Sequence, residues 1–226
     1  MTVRTPPRLV VLISGTGRNL QAIMDAISDG RLHARLAAVI SDQADAYGLE
    51  RARRAGIPAL TLPAAGHSRE TYNAALAERI DAFDADHVAL AGFMRILGHA
   101  FVTRYRGRML NIHPSLLPEY RGLHTHERVL AAGERWHGAS VHFVTDELDG
   151  GPVVLQGRVP VRAGDDAETL ARRVMSDVEV RIYPLALAWL VDGRLTLRGS
   201  AAWLDGERLE APRQLDEPDM KEAARR

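Results

Sequence analysis

Leu9-Val10-Val11-Leu12-Ile13 runs directly into Ser14-Gly15-Thr16-Gly17-Arg18-Asn19. A continuous apolar run rich in β-branched residues predicts a strand buried on both faces. Both faces of a sheet are covered only when helices lie on each side, which is the situation of a parallel sheet. The glycines then turn the chain, and Leu20, Ile23, Met24 and Ile27 fall at helical spacing from a cap at Asn19 until Gly30 stops the run. The unit repeats: strand Leu36 to Ile40, helix Ala44 to Ala55, short strand Ala59 to Leu62, helix Ser68 to Ala82, strand His87 to Ala91. Strands alternating with helices imply right-handed crossovers, so the expected class is α/β: a Rossmann-like, mostly parallel twisted sheet with helices on both faces.

Further along the texture changes. A buried strand, Arg108 to Ile112, enters the stiff loop His113-Pro114-Ser115-Leu116-Leu117-Pro118. Ser140 to Phe143 and Val153 to Val161 flank Asp149-Gly150-Gly151-Pro152 and read as strands added beside the parallel half. A long helix is expected from Ala167 to Val191, kinked at Pro184, followed by a hairpin of Arg194 to Leu197 and Ala201 to Leu204. Residues 1–204 are therefore expected to form a single catalytic domain, and the charged, proline-containing residues 205–226 a frayed tail.

Composition narrows the function. The 226 residues carry 29 Lys plus Arg against 29 Asp plus Glu. That balance argues against nucleic acid or an anionic membrane as the main partner, so anion recognition has to be local. There is no cysteine, which excludes disulfides, thiolate nucleophiles and zinc–thiolate sites. The first apolar run is five residues long, too short for a signal sequence or a spanning helix, and nothing later approaches eighteen; a soluble, cytoplasmic protein is expected.

Two motifs carry chemistry. The Gly15–Asn19 turn lets the backbone approach an anion, with the amides and dipole of the following helix as donors. A structural turn would also use glycine there. The third glycine of a dinucleotide fingerprint is Leu20 here, although Asp42 lies where a ribose-binding acid would stand, so a monophosphate fits better than a pyrophosphate. Asn111 and His113 stand two apart at the end of a strand and therefore share a face. Together they offer an amide donor for an oxyanion and a group that moves a proton near neutral pH, while a packed histidine is an equal reading for His113. Asp149 reads by pattern alone as a hairpin turn, since Asp-Gly is a strong turn signal. His113, His124, His126, His137 and His142 cluster in sequence, but without Cys, and with no acid one helical turn from a His pair, no metal is expected. Trp136, Trp189 and Trp203 are scattered and read as packing.

Taken in order, LISGTGRNLQAI, ADAYGLERARRAGIP, LAGFMRIL, NIHPSLLPEYRGLHTHERVL, GASVHFVTDELDGGPVVLQ, IYPLALAWLVDGRL and AAWLDGERL resemble the phosphoribosylglycinamide formyltransferase family, from about residue 8 to residue 209. The resemblance implies direct transfer of a formyl group from the co-substrate 10-formyltetrahydrofolate to the amine of glycinamide ribonucleotide in purine synthesis, without a metal. It implies a catalytic trio of Asn111, His113 and Asp149, so that Asp149 is more than a turn. It places the ribonucleotide on Gly15, Thr16, Gly17, Arg18 and Asn19, with Arg69 as a further phosphate clamp and Glu179 on the ribose hydroxyls. The folate is implied against Met94, Arg95, Ile96, Leu97, Asn111, Asp146, Glu147 and Leu148. The implied partners are these small molecules, with no nucleic acid and no membrane, in a monomer or homodimer. The chain departs from the common pattern at Arg18, where a small Ser is frequent, and at Val180, where a His is frequent. Methionyl-tRNA formyltransferase shares this logic but should add a basic C-terminal domain. A 10-formyltetrahydrofolate hydrolase should add an N-terminal regulatory domain. A non-catalytic nucleotide-binding module would leave the trio unexplained.

Overall fold

The computed structural model describes residues 5–216. Strands β1 (Arg8–Ile13), β2 (Arg35–Ser41), β3 (Ala59–Thr61), β4 (His87–Leu90) and β5 (Met109–His113) pair in parallel in the spatial order β3-β2-β1-β4-β5. The chain thus builds outward from β1 to β3 and then returns across β1 to β4. That reversal opens a crevice at the carboxyl ends of β1 and β4, where doubly wound sheets bind ligands. β6 (Trp136–Phe143) and β7 (Val153–Pro160) extend the sheet antiparallel beyond β5.

Helices cover both faces. α1 (Arg18–Ser28), α2 (Tyr47–Arg54), α5 (Thr125–Ala131), α6 (Ala167–Val174) and α7 (Val180–Val191) contribute to a core that includes Leu9, Val11, Ile13, Leu110 and Ile112. α3 (Arg69–Asp81) and α4 (His99–Arg104) pack on the other face against Val10, Leu12, Val88, Leu90 and Met109. The alternation along β1 and β5 divides each strand between two cores, which is why the strands read as unbroken apolar runs.

The structure departs from the sequence reading at several points. The expected helix 167–191 changes character not at Pro184 but at Met175–Glu179, which form a π-helical turn between α6 and α7. Pro184 lies inside α7 and cannot bond the carbonyl of Val180, the residue at which the π turn gives way to α7. β6 begins at Trp136, four residues before the expected Ser140. The residues after Leu204 are not frayed throughout. β8 (Leu195–Arg198), β9 (Ala201–Leu204) and β10 (Glu207–Arg208) form a small antiparallel sheet, and β11 (Arg213–Gln214) pairs in parallel with β7 at the edge of the main sheet. Backbone pairing to existing edges orders this stretch despite its charge, and residues 217–226 lie outside the described residues.

Candidate active site

Asn111 and His113 point from the same face of β5, as their spacing predicts, and antiparallel β6 places His142 directly opposite Asn111 and Ser140 opposite His113. The register of β6 against β7 shifts at Val141/His142, a bulge of the kind that re-aims a side chain. His142 Nδ1 lies 3.0 Å from the carbonyl oxygen of Phe143, which can only accept, so Nδ1 carries the proton. Nε2 is then an acceptor, 3.0 Å from Asn111 Nδ2. Burial pushes the His142 imidazole down to about 4, so the ring is neutral at physiological pH and fixes which end of the Asn111 amide faces it.

His113 is buried at 6% exposure. Its Nε2 lies 3.0 Å from the Tyr120 carbonyl, and its Nδ1 3.4 Å from Asp149 Oδ2. Both ring nitrogens therefore face oxygen acceptors, the arrangement an imidazolium can satisfy in full. Asp149 holds a left-handed backbone, φ 48°, unusual for a residue with a Cβ. Its Oδ2 accepts the Gly122 N–H at 2.9 Å and its Oδ1 lies 3.7 Å from His142 Nε2. Strand pairing sets Phe143 level with Leu110, whereas Asp149 reaches His113, three residues further along β5. The 144–152 excursion therefore folds back over the sheet. It can do so because a Cβ on Gly151 would stand 1.8 Å from the Phe143 carbonyl oxygen, leaving glycine as the residue that fits. The trio and His142 thus sit together as two bonded pairs, His113 with Asp149 and Asn111 with His142, with Asp149 Oδ1 3.7 Å from His142 Nε2.

The loop that follows His113 is pinned from below. Ser140 Oγ accepts the Leu117 N–H at 3.0 Å and donates to the Ser115 carbonyl at 2.7 Å, and Gln156 Nε2 donates to both the Leu117 carbonyl and Ser140 Oγ at 2.8 Å.

Beside the trio, Leu90, Phe93, Ile96, Leu97, Val144 and Leu148 wall a cleft of about 110 Å³ with Arg95, Asn111, Asp146, Glu147 and Asp149 at its polar positions. All the folate-side residues expected from the sequence are here except Met94, whose side chain is 65% exposed and whose N–H instead donates to Ser14 Oγ at 2.9 Å. The excursion is tied at its edge by Glu147 to Arg121 and by Asp146 to His99 Nδ1 at 3.0 Å.

The glycine turn lies at the carboxyl end of β1. Gly17 caps α1 with φ 70°, and the first amide of α1 to find a backbone partner is that of Gln21, bonded to the Gly17 carbonyl at 2.9 Å. The amides of Arg18, Asn19 and Leu20 precede it and are the orphan donors of a helix start. Thr16 and Arg18 are exposed at this turn. Asn19 is buried and donates through Nδ2 to Glu179 Oε2 at 2.6 Å, while its Oδ1 is buried without a partner. Glu179 itself belongs to the π turn, and burial pushes its carboxyl up against the opposing pull of the Asn19 bond. Among the described residues no hydrogen bond or ion pair joins Arg69 to the 15–19 turn; its guanidinium lies 3.8 Å from Glu70.

Sequence reasoning missed the supports. Gly48 sits against Gly17 and donates its N–H to the Gly15 carbonyl at 3.1 Å, and Arg51 donates through Nε to the Thr16 carbonyl at 2.9 Å. Nothing local in α2 announces these contacts. For His142 a signal existed, the polar positions Ser140 and His142 alternating with Ala139, Val141 and Phe143, but its meaning needs the pairing register. Asp42, in the place of a ribose acid, turns inward and bonds Ser14, Gln43 and Arg95. His126 and His137 bond each other at 2.9 Å, with burial pushing His137 down to about 4, and no group of three metal-ligating side chains converges among the described residues.

Residues 7–187 match the formyl transferase family. The chain is 57% identical over 202 residues to the phosphoribosylglycinamide formyltransferase of Escherichia coli strain K12, covering 89% of this chain and 95% of that protein. It is 44% identical over 203 residues to the enzyme of the same name from Haemophilus influenzae, covering 89% and 95%. Among solved structures, the phosphoribosylglycinamide formyltransferase of Coxiella burnetii superposes with a TM-score of 0.87 at 51% identity, over 92% of this chain and 99% of that one. By sequence, fold and extent of match, the chain belongs to the formyl transferase family.

Proposed function

We propose that this protein is a cytoplasmic phosphoribosylglycinamide formyltransferase, moving the formyl group of 10-formyltetrahydrofolate to the amine of glycinamide ribonucleotide in purine synthesis. The observation that carries the reading is that Asn111 and Asp149 line the cleft walled by 90–97 and 144–149, with His113 behind them, 3.4 Å from Asp149. The ribonucleotide amine attacks the formyl carbon, and the carbonyl oxygen gathers negative charge. The free N–H of the Asn111 amide is a donor for that charge, and the His113 Nε2–H becomes a second one by leaving the Tyr120 carbonyl it faces. The bond from the formyl carbon to folate N10 then breaks as the proton lost by the amine reaches N10, through water held by Asp149. No covalent intermediate is required.

On this reading the phosphate rests on the 15–19 turn, where the α1 amides and the added charge of Arg18 face it, and Glu179 takes the ribose hydroxyls. The aromatic pterin enters the cleft, with hydrogen bonds from the 145–149 backbone at its rim. Arg69 as a phosphate clamp would need its side chain to move from Glu70. Purified protein given 10-formyltetrahydrofolate, with and without glycinamide ribonucleotide, tests the reading. Deformylation that depends on the ribonucleotide is expected. Equal turnover without it would make the protein a hydrolase, and none at all a binding module.

A further inference from the structure

We infer that Asp42 is a positioning residue for both substrates, the buried anchor that holds segment 94–97 in register with the 15–19 turn; the inference rests on the substrate assignment above. Asp42 follows β2, and its side chain is 1% exposed. Its carboxylate accepts from Ser14 Oγ at 2.6 Å, Gln43 Nε2 at 2.8 Å and Arg95 Nε at 2.9 Å. The Ser14 hydroxyl, whose O–H donates to Asp42, accepts the Met94 N–H at 2.9 Å, while the Ser14 N–H donates to the Gly92 carbonyl at 3.1 Å. One knot thus ties the carboxyl ends of β2, β1 and β4 across the point where the strand order reverses. Ser14 opens the phosphate turn and Met94-Arg95 opens the folate wall, so neither loop can shift without straining the other's bonds.

The charge is what lets a single side chain do this. A carboxylate accepts from three donors at once, whereas an Asn amide has one acceptor oxygen and must turn an N–H toward either the Ser14 hydroxyl or the Arg95 Nε–H. Arg95 is 42% exposed at the cleft. Its Nε is engaged by Asp42, which leaves the rest of the fork aimed toward the folate side instead of free to sweep.

The test uses Asp42→Asn, Ser14→Ala and the double variant, each titrated separately with tetrahydrofolate and with glycinamide ribonucleotide by calorimetry. Asp42→Asn is expected to weaken both ligands, tetrahydrofolate by roughly tenfold, as expected for a lost charge-assisted bond. Ser14→Ala should weaken both less, and the double variant should bind within about twofold of Asp42→Asn, because both changes act through one knot. General loosening of the fold would instead give effects that multiply. Multiplying effects, or either ligand bound by Asp42→Asn with wild-type affinity, would overturn the inference. If Asp42→Asn does not fold, Ser14→Ala carries the test alone: loss confined to one ligand overturns it. A wild-type protein that binds neither ligand would instead remove the substrate assignment, and the inference with it.

Discussion

Gly48→Ala is the sharpest probe of how the 15–19 turn, the proposed phosphate site, is built. An ideal Cβ at Gly48 would stand 2.4 Å from Ile13 Cδ1, 3.2 Å from Gly17 Cα and 3.3 Å from the Gly15 carbonyl oxygen. Carbon atoms rest at about 3.5–4.0 Å, so the Ile13 methyl has to retreat by more than about 1 Å and the turn by a few tenths. Ile13 is fully buried, and a close-packed core has no room to receive it. Overpacking of this kind costs about 1–3 kcal/mol, and the better helix propensity of Ala returns at most about 1, leaving about 1–2 kcal/mol, or roughly 2–8 °C in Tm for a chain of this size. Function should suffer more than stability, because the strain is released into the turn: the KM for glycinamide ribonucleotide is expected to rise about tenfold while the folate KM stays, misplacement of this order being costly in catalysis. Differential scanning calorimetry and initial-rate kinetics read the two effects. Gly15→Ala, whose Cβ meets nothing within 4 Å, is the stability control and should melt as the wild type does. Ile13→Val deletes the methyl that is struck, so adding it to Gly48→Ala should recover Tm, although alone it costs about 0.5–1.5 kcal/mol. Additive losses in that double variant, or a Gly48→Ala protein with wild-type Tm and KM, would refute the packing argument.

Asn111→Ala and His113→Ala should each lower turnover by about 100- to 1000-fold, the range for loss of an oxyanion donor, and near-normal single-turnover rates in both would end the mechanism proposed above. Glu179 is a carboxyl raised by burial, so its contribution to stability is whole below the unfolded value of about 4.3 and declines as pH rises through the higher folded one. Glu179→Gln is accordingly expected to melt above the wild type at pH 7 and level with it near pH 4, while binding glycinamide ribonucleotide more weakly; equal melting at both pH values would contradict the burial argument. Asp165 behaves in the opposite sense: a bidentate hydrogen bond from Arg173 pulls it down to about 2, so its stabilisation is present above about pH 3.9 and is lost as pH falls toward 2. Asp165→Asn should flatten that acid limb in a melting series, and an unchanged limb would assign the acid transition to other carboxylates.

The parallel half of the sheet is legible in the sequence because β1, β2 and β4 are continuous apolar runs separated by helices with clear periodicity. α4 and α5 are not, since HAFVTR and THERVLA are too short to show a period and owe their helical state to what they pack against. The start of β6 was hidden for a related reason. Trp136, His137 and Gly138 precede the run Ser140 to Phe143 that reads as a strand, yet Gly138 is needed in β6 because a Cβ would lie 2.0 Å from the Gly157 carbonyl oxygen. Asn111 and His113 could be found from their spacing, which is local. Asp149 could not be separated from a turn by pattern, because it does sit in a turn, with a left-handed backbone, and its role comes from where the excursion folds. His142, Gly48, Arg51 and the inward aim of Asp42 depend on register and on partners 28 to 53 residues away in the sequence, for example Ser14 and Arg95 for Asp42, and no periodicity reports such distances.

Why the trio sits where the sheet changes direction follows from this geometry. A parallel neighbour reaches β5 only through a crossover, and its hydrogen bonds to β5 run slanted. An antiparallel neighbour sets residues face to face, and it is this pairing that brings the neutral His142 ring to the Asn111 amide. The antiparallel return also makes the 144–152 excursion a short loop between adjacent strands, able to fold back over β5 and deliver Asp149 to His113. In the proposed mechanism the crevice between β1 and β4 supplies the generic part, a helix start for a phosphate, and the β5–β6–β7 addition supplies the reactive part. On the proposed reading, the acceptor of the formyl group is chosen in the half built around β1 and Glu179, at a distance in sequence from the groups proposed to activate the donor. A chain that kept the trio but lost the glycine turn should still hold folate and would have only water to receive its formyl group.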